Sequence, residues 1–529
     1  MSRTHVDRLF SAIAARPEKP AIVFEGRTWT FADLDRLSAA CARGLSAKGI
    51  EPGDRVAVFA ETSPEVVVAL LGHYRLGAVH VPINTRYRGE EVTQILEDSG
   101  AKAVLLRAGS SCARVLDGLA PRPAQARRIW IGGRDPAAGP EDVAFDGLVE
   151  TPPRNRETPP LPADEDAAIL LYTSGTTGKS KGVELSFRAL VANTEAVTRL
   201  WRFSQEDRMA LALPLFHVHG LGLGVHGALL SGMTLLLFER FDASGIVNAF
   251  EREGATLFQG VPTMYVKLLE LFARRPESAL ALSRGRLFTS GSAALSADDF
   301  HRFEELTGHR ILERYGMSET LFTLSNPYED RRPGTVGLPI PGCEIRIVDE
   351  AGHDVQADEP GEILARSNGI MTRYWRRPEE TAASFRDGWF VTGDVARRDR
   401  DGYVTIAGRK SVDFIKSGGF KISAREVEDV LRRHPRIKDV AVIGAPDRVW
   451  GQRIVAAVVL HASSTAAPSS ESLLEELSSF CARSLADYKR PREVRVVEDL
   501  PKNALGKIQK HRILESIAGA DPSSLGSSG

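Results

Sequence analysis

The chain has 529 residues, 43% hydrophobic and 26% charged, with a formal net charge of −1. That length exceeds one ordinary core and predicts two or more domains. The neutral balance provides no basic surface for nucleic acid or an anionic membrane. Cys41, Cys112, Cys343 and Cys481 are scattered with no CxxC pair, so neither a disulfide framework nor a zinc site is implied. No apolar run approaches the ~18 residues that span a bilayer, so no membrane insertion is expected and the expected compartment is the cytoplasm.

In chain order, Thr30 and Asp33 form a capping box ahead of an apolar face of Leu34, Leu37, Cys41 and Leu45, and Gly49 closes that helix. RVAVFA (55–60) reads as a strand, Ser63-Pro64 opens a helix running to Gly77, and AVHVPI (78–83) is the next strand. Such alternation requires a mostly parallel sheet covered on both faces. Residues 134–166, rich in proline and acids, read as a surface excursion between two such sheets. From about Pro333 the pattern turns to hairpins: CEIRIVD, GEILARS, and the Asp401-Gly402 turn between VARRDR and YVTIAG. A compact α+β module begins near Lys410. In it Ser423 and Glu426 box a helix that His434-Pro435 ends, strands lie at 439–445, 453–460 and 493–499, and a helix lies near 472–485. The tail DPSSLGSSG is small and polar.

The most informative stretch is YTSGTTGKSKGV, Tyr172 to Val183, which follows the apolar strand-like run Ala167 to Leu171. Its glycines let backbone N–H groups approach an anion, its hydroxyls add donors, and its lysines add charge. Together these describe a polyphosphate-binding loop of Thr173, Ser174, Gly175, Thr176, Thr177, Gly178 and Lys179. A Walker A loop is excluded, because it needs a glycine where Thr173 stands and a helix where Gly182 to Leu185 reads as a strand.

This loop resembles the phosphate loop of the adenylate-forming enzymes, which include acyl- and aryl-CoA synthetases, luciferases and peptide-synthetase adenylation domains. Further motifs follow in that family's order: LPLFHVHGL (213–221), RYGMSET (314–320), Thr392-Gly393-Asp394, Gly408-Arg409, KSGGFKIS (416–423) and PKNALGKIQK (501–510). The resemblance implies an α/β fold in which a large N-terminal AMP-binding domain of two layered α/β sheets plus a β-rich subdomain spans 1–409. A hinge at 410–413, a small mobile C-terminal α+β lid domain over 414–515 and a flexible tail at 516–529 follow. It also implies an AMP-forming acid–thiol ligase that uses ATP, Mg²⁺ and CoA on a small carboxylic acid, with no protein partner. A carboxylate attacks the α-phosphate of ATP to give acyl-AMP and pyrophosphate, and a thiol then displaces AMP. Preorganised cations and N–H donors should carry both halves.

Residue by residue, the resemblance makes Lys507 the catalytic cation of the first half, where position alone suggests a surface lysine. Glu319, with Thr173, becomes the Mg²⁺ ligand, although a helix N-terminal glutamate is the competing reading. Gly291, Ser292, Ala293, Arg314, Tyr315, Gly316, Met317 and Ser318 meet the nucleotide. Tyr315 either stacks on adenine or is a core aromatic. Asp394 accepts from ribose, Arg409 contacts nucleotide, and Gly418 and Gly419 form either a β-turn or one wall of a pantetheine tunnel.

The acyl pocket should be built from 216–224, 259–267, 290–295 and 313–317, with His217 and His219 paired in it and His217 also placed beside the reacting groups. Arg314 stands where many fatty-acid ligases of this kind have an uncharged residue. An arginine there can grip a second carboxylate bidentately. FHVHG, GVPTMY, SGSAAL and ERYGM together resemble malonyl-CoA and methylmalonyl-CoA synthetases. Lys267 stands where several of these have arginine, which loses the fork, and Arg314 could instead pair internally with Glu313. A fatty acyl-CoA synthetase and a carrier-loading adenylation enzyme are the alternatives.

Overall fold

The computed structural model describes every residue except 1–3, 120–125, 134, 136–137, 140, 151–159, 174–179, 410–413, 418–419, 448–449, 462–468, 483–484, 486, 504–505 and 519–529. Six of the seven phosphate-loop residues, the hinge at 410–413, Gly418 and Gly419 thus lie outside the described residues. The chain forms two compact units: residues 1–344 with 365–390, and residues 345–364 with 391–529.

The first unit holds, among the described residues, a nine-stranded and an eight-stranded sheet. Six consecutive strands of the nine-stranded sheet run parallel: Leu312–Met317, Leu287–Ser290, Leu257–Gly260, Arg208–Leu211, Thr234–Leu237 and Pro20–Phe24. In the eight-stranded sheet Ala167–Thr173, Val79–Pro82, Arg55–Val58, Ala103–Arg107 and Arg127–Ile131 are parallel. Parallel strands are buried on both faces, which is why AAILL (167–171) and VAV (56–58) read as unbroken apolar runs. Val56, Ala57, Ile169 and Leu170 are all 0% exposed.

Local signals operate as the sequence predicts. Asp33 N donates to Thr30 Oγ1 at 3.1 Å and Thr30 N donates back to the Asp33 carboxylate at 3.1 Å, starting the helix Phe31–Ala47. The helix Pro64–Leu76 has proline in its first turn and ends on Gly77 at φ 75°, the left-handed cap that glycine adopts without penalty. The excursion at 134–166 departs from expectation. It contributes the helix Phe145–Val149, whose Phe145 and Leu148 are 3% and 1% exposed. Gly44 admits it: a Cβ there would stand 2.7 Å from the Leu148 carbonyl oxygen. Buried side chains of this size each contribute about 1.5–3 kcal/mol, enough to hold this short helix on the core.

The second unit contains a five-stranded sheet among its described residues, in which Ile437–Asp447, Gly451–Leu460 and Glu493–Val496 lie side by side. Ser423 caps the helix Ala424–Leu431 by accepting from Glu426 N at 3.3 Å. Glu426 does not complete the reciprocal box, and its carboxylate takes Lys489 at 2.7 Å. The same unit holds the antiparallel pairing of Asp394–Arg398 with 404–409, turned at Asp401-Gly402.

Candidate active site

Thr173 pairs with Lys181 across two antiparallel strands, Ala167–Thr173 and Lys181–Ser186, which flank the phosphate-loop motif. The strand Lys181–Ser186 stands where a Walker loop requires a helix, in agreement with the rejection of that reading. Lys181 is held at the base: it ion-pairs with Glu380, and its Nζ lies 5.4 Å from the centre of the Tyr374 ring. Tyr374 in turn pairs with Val183 and donates from Oη to Glu319 Oε1 at 3.0 Å. Tyr374, which sequence reasoning missed, therefore ties Glu319 to the phosphate hairpin.

Glu319 is 8% exposed and occupies the turn between Leu312–Met317 and Leu321–Ser325. It does not start a helix, so the competing helix-dipole explanation of this residue falls away. Gly316 permits the turn, because a Cβ there would stand 1.9 Å from the Leu321 carbonyl oxygen. A buried carboxylate and the Thr173 hydroxyl are hard oxygen donors, which suits Mg²⁺, an ion that keeps most of its waters and takes one or two protein ligands. Tyr315, Met317 and Ser318 are half-buried, and Tyr315 Oη lies 3.9 Å from Met317 Sδ.

Arg314 is 5% exposed, and its Nε and Nη2 have no hydrogen-bond partner among the described residues. Its guanidinium carbon stands 4.7 Å from the Phe322 ring centre. Asn193 fixes that aromatic floor, accepting from Phe322 N at 3.1 Å and donating to Phe322 O at 2.8 Å. Gly291 leaves the room: a Cβ there would lie 2.5 Å from the Arg314 guanidinium carbon. Burial without a partner pulls the Arg314 pKa down to about 9, so at neutral pH the charge is retained at a cost. Glu313 does not relieve it. The Glu313 carboxylate accepts from Gly334 N at 2.8 Å, and successive strand residues point to opposite faces.

His219 is 2% exposed and opens a widened π-type helix, His219–His226. Its Nδ1 lies 3.5 Å from Ser292 Oγ and its Nε2 has no partner among the described residues. Burial, then Arg314, then His217 push its pKa well below the usual value. Desolvation alone holds His217 at about 4, so both imidazoles are neutral at physiological pH. Ser292 sits at φ 69°, a strained backbone of the kind that clusters at functional sites, while Ala293 is exposed. Lys267 is exposed on the helix Pro262–Arg274 and is not among the groups that meet Arg314.

In the second unit, Asp394 and Arg409 are register partners with Arg409 Nε 3.6 Å from Asp394 Oδ1. Arg409 also donates to Thr392 O at 3.3 Å. Lys507 is exposed in a short turn closed at both ends by Asn503: Lys507 N donates to Asn503 Oδ1 at 2.9 Å, and Asn503 N donates to Lys507 O at 2.8 Å.

Gln259, Thr289 and Arg314 cluster at or just beyond the carboxyl ends of neighbouring parallel strands, where ligands bind in open α/β sheets. The described residues thus place a buried carboxylate, Glu319, tied through Tyr374 to the strand Lys181–Ser186, and a buried guanidinium, Arg314, with two nitrogens unpartnered among the described residues. Residues 9–375 match the AMP-binding enzyme family and residues 426–507 its C-terminal domain. The chain is 33% identical over 491 residues to the malonate–CoA ligase of Arabidopsis thaliana, covering 88% of this chain and 78% of that one. It is 32% identical to a long-chain-fatty-acid–CoA ligase of Bacillus subtilis, covering 96% and 93%. Among solved structures it is similar to ATP-bound MatB of Rhodopseudomonas palustris, with a TM-score of 0.87, 33% identity and 97% and 99% coverage. The chain belongs to the AMP-binding enzyme family. Within it, the chain is an AMP-forming acyl-CoA ligase, with ATP, CoA and a small carboxylic acid as substrates.

Proposed function

We propose that the acid is malonate or methylmalonate, so that the reaction is malonate or methylmalonate + ATP + CoA → acyl-CoA + AMP + pyrophosphate. The observation that carries this is Arg314, a buried guanidinium with Nε and Nη2 unpartnered among the described residues. An unpaired buried charge costs several kcal/mol, and a second carboxylate bonded bidentately offsets that cost. A fatty chain in the same place would leave the charge stranded. Similarity to malonate–CoA ligases supports the same reading, and similarity to a long-chain-fatty-acid ligase marks the alternative.

In this reading Arg314 anchors the distal carboxylate over Phe322, leaving the proximal one to attack phosphorus. Neutral His217 and His219 exclude water and add no competing charge. The phosphate loop from Thr173 to Lys179 cradles the triphosphate. Tyr315 with residues 291–293 and 316–318 receives the nucleotide, while Asp394 and Arg409 bind its ribose side. Glu319 and Thr173 would hold Mg²⁺, which when bound spreads the negative charge of the phosphates. Lys507 stabilises the charge that builds on carboxylate and α-phosphate as pyrophosphate leaves. Residues 414–515 act as the lid domain, swung about 410–413, and Gly418 and Gly419 admit the pantetheine thiol. The test is CoA-dependent AMP release over a panel from acetate to long-chain acids, with malonate and methylmalonate. Preference for the dicarboxylates is expected, and preference for a long-chain fatty acid would overturn the reading.

A further inference from the structure

The strand Leu257–Gly260 places a glutamine, one residue before its end, that the reaction as described does not use. Gln259 is 1% exposed, and neither Oε1 nor Nε2 has a partner among the described residues. Next to it in the ladder, Thr289 is also 1% exposed with an unpartnered hydroxyl. Nearly all buried polar groups in folded proteins are hydrogen-bonded, so two orphans side by side mark a place where something else supplies the bonds.

Register locates them. Leu211 pairs with Gln259 and Gln259 with Thr289, so the three share one face of the sheet. Thr289 also pairs with Leu312, which returns Arg314, two residues further on, to that same face. The widened helix covers it, since a Cβ on Gly224 would lie 2.7 Å from Leu211 Cδ2. His219, with its own unpartnered Nε2, stands on that helix. The orphan groups therefore belong to one sheet–helix interface with Arg314.

The chemistry narrows the occupant. A carboxylate bound by Arg314 offers acceptors only, and Gln259 Oε1 needs a donor. An ammonium would donate but be repelled by the guanidinium. A hydroxyl both donates, to Oε1, and accepts, from Nε2 or from Thr289 Oγ1. A methyl group at the same place would leave all three atoms unpaired.

Resting on the reading of Arg314 as the carboxylate anchor, we infer that Gln259 and Thr289 form a specificity subsite for a hydroxyl group. Malonate and methylmalonate then use the Arg314 anchor alone, and a hydroxylated malonate fills the hydroxyl subsite as well. The experiment compares kcat/KM for hydroxymalonate and methylmalonate, which differ by hydroxyl against methyl, in the wild type and in Gln259→Met and Thr289→Val. Thr289→Val is close to isosteric, so it carries the test if Gln259→Met fails to fold. The wild type should favour hydroxymalonate by on the order of 10- to 100-fold, and each folded variant should lower that ratio by about tenfold or more. A wild-type preference for methylmalonate, or a ratio unchanged in the variants, overturns the subsite while leaving Arg314 as anchor. Turnover of monocarboxylates with none of either dicarboxylate overturns the anchor and the subsite together.

Discussion

The two units treat their candidate functional polar groups in opposite ways. In the first, Arg314, His219, Gln259 and Thr289 are buried and carry polar atoms without partners among the described residues. In the second, Arg409 is engaged with Asp394 and Thr392 of its own hairpin, and Lys507 is exposed, its backbone pinned by Asn503. If Arg314 is the acid's anchor, as proposed, these buried orphans are stability given up for recognition, and a bound acid would complete what the fold leaves open. An exposed lysine costs the fold nothing and acts only where a substrate meets it. Selectivity should therefore break in the first unit with gains in stability, and catalysis in the second with none.

The largest effect is expected at Lys507. Lys507→Ala should reduce acyl-AMP formation, followed by pyrophosphate exchange, by about 3–4 kcal/mol. Thiol transfer from supplied acyl-AMP should be nearly intact and the melting temperature unchanged. Equal loss in both half-reactions would make the lysine structural.

Arg314→Met comes next. It should lower kcat/KM for malonate by about 2–5 kcal/mol, spare or improve short monocarboxylates, and raise the melting temperature because an unpaired buried charge is gone. Parallel loss for all acids would instead assign the residue to nucleotide binding or to the fold.

Acid should act on the first unit. Burial holds the His73 pKa at about 3, and those of His217 and His226 at about 4. Each is neutral when folded and protonates near pH 6.5 when unfolded. The unfolded chain then binds more protons between these values, so stability is full above pH 6.5 and falls as pH drops toward 4. Each shift implies about 2 kcal/mol between pH 7.5 and pH 5, so denaturant unfolding at these two pH values should differ by several kcal/mol. Amide exchange should place the loss in the first unit, and equal stability at both pH values would contradict the burial.

The smallest effect is expected at Lys267. Being exposed, Lys267→Met should change malonate selectivity by less than about 0.5 kcal/mol, as surface substitutions do. A change as large as that at Arg314 would mean that the lysine swings into the pocket on binding.

Much of this contrast was legible in the sequence, and the physical reason differs by residue. The phosphate hairpin, the helix caps at Thr30 and Ser423 and the strand at 439–445 follow from local rules that need only neighbours in the chain. Arg314 was legible as a charge in the wrong place for a lipid pocket. Its solitude was not, because whether Glu313 answers it depends on which face each side chain takes. Tyr374 and Asn193 gave no local sign, since their partners Glu319 and Phe322 lie 55 and 129 positions away. Gln259 stood in a segment assigned to the pocket, but only sheet register puts it on the face of Arg314. Lys267 marks the opposite limit: its alignment with an arginine suggested a pocket role, while its exposure on the helix Pro262–Arg274 is visible only in the structure.

The most direct measurement is a crystal structure of the enzyme with a non-hydrolysable malonyl-adenylate analogue. The distal carboxylate is expected over Phe322 with two oxygens at about 2.7–2.9 Å from the Arg314 guanidinium nitrogens. A distal carboxylate in solvent or on Lys267, with Arg314 still unpaired, would contradict it.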